Sequence, residues 1–117
     1  MTKIKYIYKL VLLNRLFMEN VIYSISYDLR QPGRNYSDLY DAIKDLDPNC
    51  QHPLDSNWFV RSEMSADQIY KHLRAHIDDN DLLFVVAIDS SNKQGWMIRT
   101  FWNWINGIGN DNRTKTK

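Results

Sequence analysis

A single cysteine, Cys50, excludes an internal disulfide framework, and one unpaired thiol fits a reducing cytoplasm. With only four glycines and three prolines the chain is not collagenous, linker-like or of low complexity. Near its start the longest uncharged apolar run, Leu10 to Leu13, is stopped by Asn14 and Arg15. That is far short of the roughly 20 residues a bilayer span needs, and no small-residue cleavage site follows, so neither a membrane span nor an ordinary signal peptide is expected. No glycine-rich phosphate loop follows the first strand-like stretch, and no helix-turn-helix pattern is visible. Charge of one sign is also scarce overall. The formal net charge is +1, but residues 18 to 110 hold eight Lys or Arg against thirteen Asp or Glu, a net of −5. The positive excess lies in Lys3, Lys5, Lys9 and Arg15 near the start and in Arg113, Lys115 and Lys117 near the end. An acidic body is a poor match for tight, sequence-independent phosphate binding.

What is present is ordinary globular material: 44% hydrophobic and 25% charged residues in 117, enough for one domain with one core. Val21, Tyr23, Ile25 and Tyr27 alternate with Ile22, Ser24 and Ser26, which predicts a strand ending on Asp28. Arg30-Gln-Pro-Gly-Arg34 reads as a turn. Asn35 is placed to cap a helix from Tyr36 to about Asp47, with Leu39, Ile43 and Leu46 on one stripe. Asp47-Pro48 ends that helix, because the residue before proline is pushed out of the helical region. A hairpin is expected from a short strand near Cys50 to Leu54 and a second at Trp58 to Arg61. Ser65-Ala-Asp-Gln68 is a capping box opening a helix with Ile69, Leu73 and Ile77 in register. The acidic cluster Asp78-Asp-Asn-Asp81 closes it. The apolar run Leu82 to Ile88 suits a strand buried on both faces or central in a sheet. Trp96, Phe101, Trp102, Trp104 and Ile105 predict a further helix that packs on the domain or on a second copy.

Strand, helix, strand, strand, helix, strand is the order of an α+β, ferredoxin-like split βαββαβ domain, with two helices on one face of an antiparallel sheet. The expected domain spans 18–106, between a leader at 1–17 and a flexible polar tail at 107–117. Met18 stands directly before Glu19 and the first strand, so translation is expected to begin there; mass spectrometry of the native protein should find Met18, not Met1 or Thr2, at its terminus.

The stretches Val21 to Leu29, Pro32-Gly-Arg-Asn-Tyr36, His52-Pro-Leu-Asp-Ser-Asn-Trp58 and Asp78-Asp-Asn-Asp-Leu-Leu-Phe-Val85 resemble the small SinR-like proteins, relatives of the CRISPR-associated small endoribonuclease superfamily. The resemblance covers roughly Asn20 to Asp89. It implies a ferredoxin-like fold and homodimerisation through the sheets. In the CRISPR relatives an aspartate ending the first strand binds divalent metal, and Asp28 is the matching residue. Asp28 thus becomes the candidate catalytic residue and ligand for Mg²⁺, with a second copy supplying the other carboxylate across a two-fold axis.

Each candidate has a plainer alternative. Asp28 at a strand end is also a favoured turn residue. Ser26, Arg30 and Arg34 surround the same strand end and are the candidate nucleic-acid contacts, Arg through bidentate bonds to phosphate; serines lining a strand and arginines solvating a loop is the plainer reading. His72 and His76 have zinc-compatible i, i+4 spacing but no third ligand in sequence, and Asp78, Asp79 and Asp81 lack the glycine and terminal glutamate of a calcium loop. Trp58 and Trp96 to Trp104 read as core or interface rather than base-stacking groups. Two functions follow: a homodimeric, nucleic-acid-associated, metal-dependent nuclease of the cytoplasm, or a non-catalytic dimeric scaffold or interaction module. A role in a toxin-antitoxin pair is a third class.

Overall fold

The computed structural model describes residues 21 to 108; the expected leader, the Met18 start and all but the first two residues of the expected tail lie outside the described residues. Within them run β1 (Ile22–Asp28), α1 (Ser37–Leu46), β2 (Gln51–Leu54), β3 (Asn57–Arg61), α2 (Ala66–Arg74), β4 (Leu82–Ile88) and α3 (Arg99–Ile105). The four strands form one sheet in the order β2-β3-β1-β4, every neighbouring pair antiparallel. The chain is therefore α+β. Strand β3 lies between β1 and β2, and β1 lies between β3 and β4, so α1 and α2 each connect strands that are not neighbours.

The alternation of β1 decides what each face of the sheet carries. Tyr23, Ile25 and Tyr27 point to one side, where they join Trp58 and Val60 of β3 and the apolar stripes of α1 (Leu39, Ala42, Ile43) and α2 (Ile69, Leu73) in the main core. Ile22 points to the other side and joins Phe101, Trp104 and Ile105 of α3, with Phe59 and Ile88 packed against them. A one-residue slip of β1 would exchange these sets, so its register is held by both cores at once.

Local signals explain most of the boundaries. Ser65 Oγ accepts from Gln68 N while Gln68 Oε1 accepts from Ser65 N, completing the expected capping box. At α1 the cap differs from expectation. Tyr36 is the N-cap without a side-chain bond, and Asn35 instead accepts from Ser37 N in a local turn. Asp47 ends α1, but its carboxylate also accepts from Asn49 N and from Arg61 N of β3, tying the helix end to the sheet. Helix α3 is closed by Gly107 at φ +78°, with Ile108 N bonded to Asn103 O and Gly107 N to Trp104 O. That is a Schellman stop, which needs the left-handed residue glycine supplies at low cost.

One expectation is overturned. Among the described residues Leu82 to Ile88 is an edge strand, bonded to β1 on one side only, not a central or doubly buried one. Leu82, Phe84 and Val86 on its open face are 52%, 64% and 38% exposed. Leu83 and Val85 turn inward and pack against the main core. A continuous apolar run carries no periodicity, so it could not reveal that half of its side chains lack cover.

Ile25, fully enclosed between sheet and helices, is the position where packing should matter most. Ile25→Ala is expected to lower the unfolding free energy by about 2–5 kcal/mol. Ser65→Ala should cost about 1 kcal/mol through the lost cap. Urea unfolding of both variants checks the order; a core cost no larger than the cap cost would show that the interface is loosely packed.

Candidate functional site

The C-terminal end of β1 is built on a buried carboxylate from another strand's approach. Asp81, just before β4, is buried and accepts from Arg30 N at 2.7 Å, from Tyr36 OH at 2.9 Å and from Asp78 N at 2.8 Å. It thereby knots the β1–α1 loop to the α2–β4 loop. Burial pushes its carboxyl pKa up, but the backbone donors Arg30 and Asp78, the Tyr36 hydroxyl and the nearby Arg34 charge outweigh that and hold it below the ordinary carboxylate value. Arg34 reinforces the knot: it pairs with Asp78, donates to His76 O at 3.2 Å and lies over the Tyr36 ring at 4.9 Å. Gln31 Nε2 adds a bond to Asn80 Oδ1 at 3.0 Å.

Above this knot, Asp28 is exposed on the sheet face opposite α1 and α2. Arg30 Nε and Nη2 reach its Oδ2 at 3.1 and 3.0 Å, both side chains half or more exposed. An ion pair so open to water contributes at most about 1 kcal/mol. Ser26, Tyr27, Asp28, Leu82, Leu83 and Phe84 line an open groove of about 260 Å³. Ser26 Oγ and its face neighbour Ser24 Oγ both accept from Asn57 Nδ2 of β3, at 2.7 and 2.8 Å. The Asn57 Oδ1 is buried without a hydrogen-bond partner among the described residues.

The structure thus gathers Ser26, Asp28 and Arg30 at one strand end, as the sequence suggested. Arg34 lies on the same loop but is engaged with Asp78. Asp28 offers an ion one carboxylate, already held by a guanidinium, and among the described residues no group of three or more His, Cys, Asp or Glu is placed to hold a metal. Among the described residues of one chain, the lone carboxylate of Asp28 is fewer oxygen ligands than a divalent ion takes. His72 and His76 have ring centroids 6.3 Å apart, with no third ligand joining them. Asp78 and Asp79 are spent on Arg34 and Arg74.

Several residues that shape the site were not legible as such. Asp81 was one of four polar residues in a helix-ending cluster, and nothing local marks it as the buried member. Tyr36 and Asn57 lie in stretches that carry the resemblance, but nothing in the sequence marks their hydrogen-bond partners. Trp58 is core, as expected, and its Nε1 donates to Tyr27 OH at 3.0 Å. Burial pushes the Tyr27 phenol up to about 12 against the opposing effect of that donor. His52 packs edge-on to Trp58 at 3.9 Å, and burial lowers its pKa. Trp104 is buried in the second core under Arg61, which lies 4.2 Å from its ring and donates to its carbonyl. Trp96, by contrast, is fully exposed. No helix among the described residues is long and apolar enough to cross a membrane.

No family model matches the chain, and neither a curated protein nor a solved structure was found to match it.

The low Asp81 pKa has a sign that can be checked. A depressed folded pKa contributes stability that is present above the unfolded value of about 3.9 and lost as pH falls through the folded one. Asp81→Asn, which keeps the shape but not the charge, should be less stable at pH 7 and show a shallower loss of stability below about pH 4 than the parent. Urea unfolding across pH 7 to 2 measures both; equal pH profiles would remove Asp81 from the knot.

Proposed function

We propose that the chain is a non-catalytic interaction module that works as a homodimer, built on a ferredoxin-like domain. The strand order β2-β3-β1-β4 with α1 and α2 on one face is broadly consistent with that architecture. The observation that carries the reading is the uncovered side of the sheet. Leu82, Phe84 and Val86 present a continuous apolar stripe to solvent beside the groove at Ser26 and Asp28, and a stripe of this kind marks a contact surface. The charge nearby supports contact over phosphate binding, because residues 18 to 110 carry a net of −5.

The second reading is the metal-dependent nuclease associated with nucleic acid. It is favoured by one observation, the position of Asp28 at the lip of an open groove with Ser26 and Arg30 beside it. It requires Asp28 to leave Arg30 and another subunit to bring a second carboxylate for Mg²⁺.

Incubation of the full chain with single-stranded RNA and with duplex DNA, in Mg²⁺ or Mn²⁺, separates the two. The interaction-module reading expects no cleavage by the parent or by Asp28→Asn. Cleavage that disappears in Asp28→Asn would replace it with the nuclease. On the same reading, Arg30→Ala combined with Arg34→Ala should leave oligonucleotide retention unchanged within about twofold, since the net −5 of residues 18 to 110 gives phosphate little to bind.

A further inference from the structure

The two edges of the sheet are built differently. Strand β2 is short, carries Pro53, and shifts register against β3 between Gln51 and Leu54. These are the usual devices that keep an edge from pairing with another chain. Strand β4 has none of them. Its seven residues, Leu-Leu-Phe-Val-Val-Ala-Ile, include no charge, proline or glycine, and their register with β1 runs unbroken from Ile22–Ile88 to Asp28–Leu82. Its outward backbone groups have no strand partner among the described residues. An uncharged, apolar edge of this length is a template for another strand.

We infer that β4 pairs with β4 of a second copy, antiparallel about a two-fold axis at Phe84, joining two sheets into one of eight strands. This rests on the dimeric reading above and names its contact. Self-pairing is complementary because the strand has no charge to set against its own image. With the axis at Phe84, Leu82 faces Val86 of the other copy, Phe84 faces Phe84, and Leu83 faces Val85. The acidic flank Asp81 then falls opposite Ala87 rather than opposite an acid. The exposed stripe becomes a ladder of apolar cross-strand pairs, which is how antiparallel sheets gain stability.

This pairing also bears on Asp28. In register with Leu82, Asp28 stands one strand in from β4 and two residues along from the axis. Strand spacings of about 4.8 Å and a rise of about 3.4 Å per residue put the two Asp28 Cα atoms about 20 Å apart. The two carboxylates therefore cannot share one ion, and a metal site shared across the axis is incompatible with this dimer.

The experiment uses the full chain with Cys50→Ser. Phe84→Cys is oxidised beside Tyr70→Cys, an exposed position on α2. Facing residues at the axis lie about 4.5–5.5 Å apart, within disulfide range, so Phe84→Cys should yield covalent dimer and Tyr70→Cys should not. Sedimentation up to about 100 µM, suited to a small contact of modest affinity, should show the parent as a dimer and Phe84→Asp self-associating at least tenfold more weakly. Circular dichroism confirms that the folds match. A dimer that survives Phe84→Asp and gives no Phe84→Cys cross-link would overturn the β4 pairing while leaving the dimeric reading in place. A parent that stays monomeric throughout would overturn both.

Discussion

A sheet has two faces, and the described residues supply helices enough for one and part of the other. Helices α1 and α2 close the face carrying Tyr23, Ile25, Tyr27, Trp58 and Val60. Helix α3 has seven residues, about 10 Å of length at 1.5 Å per residue, whereas β4 extends about 24 Å at 3.4 Å per residue. It covers the end with Ile22, Phe59 and Ile88 and leaves the end with Ser26, Asp28, Leu82 and Phe84 open. The groove, the exposed stripe and the accessible edge all follow from that shortfall in cover.

The open end is nonetheless rigidly made. Asp81 accepts from two backbone N–H groups and a phenol, so two loops that lead into and out of the helical layer share one anchor. A buried carboxylate is costly unless its lone pairs are filled, and here three donors fill them. The exposed Asp28 and the buried Asp81 illustrate two uses of one residue type within a single strand end. Asp81 holds the backbone in place, and Asp28 stands in solvent against Arg30. The carboxylate drawing most attention in the sequence is thus the less constrained of the pair.

Polar residues near the open face reinforce the view of a contact surface. Asn57 bridges Ser24 and Ser26, so the hydroxyl of Ser26, a candidate phosphate contact, already accepts from a neighbouring strand. Arg34 is drawn down over Tyr36 toward Asp78. Beside the exposed Asp28–Arg30 pair, Leu82, Phe84, Val86 and Trp96 leave apolar surface without cover. Apolar surface in water gains free energy by being covered at roughly 25 cal/mol per Å², which gives the open side of this sheet a physical reason to find a partner.

The alternation in β1, the Leu39–Ile43 stripe, the Ser65–Gln68 box and the Asp47-Pro48 break are local patterns, and each forms the element it announces. Those patterns were enough for the α+β class and the order of elements, because helix and strand periodicity and capping act over a few residues. The placement of β4 at an edge was decided elsewhere, by β1 taking β3 on its other side. An apolar run reads alike whether it is covered on two faces, one or none. The partners of Asp81, Asn57 and Arg34 were likewise invisible, since Asp81 meets Arg30 across 51 positions and Asn57 meets Ser26 across 31. What the sequence determined by itself is which segments are strands and helices and which face of each is apolar. Only the tertiary structure decided which apolar faces are covered and which carboxylate is buried, because cover and partnership depend on distant segments meeting in space.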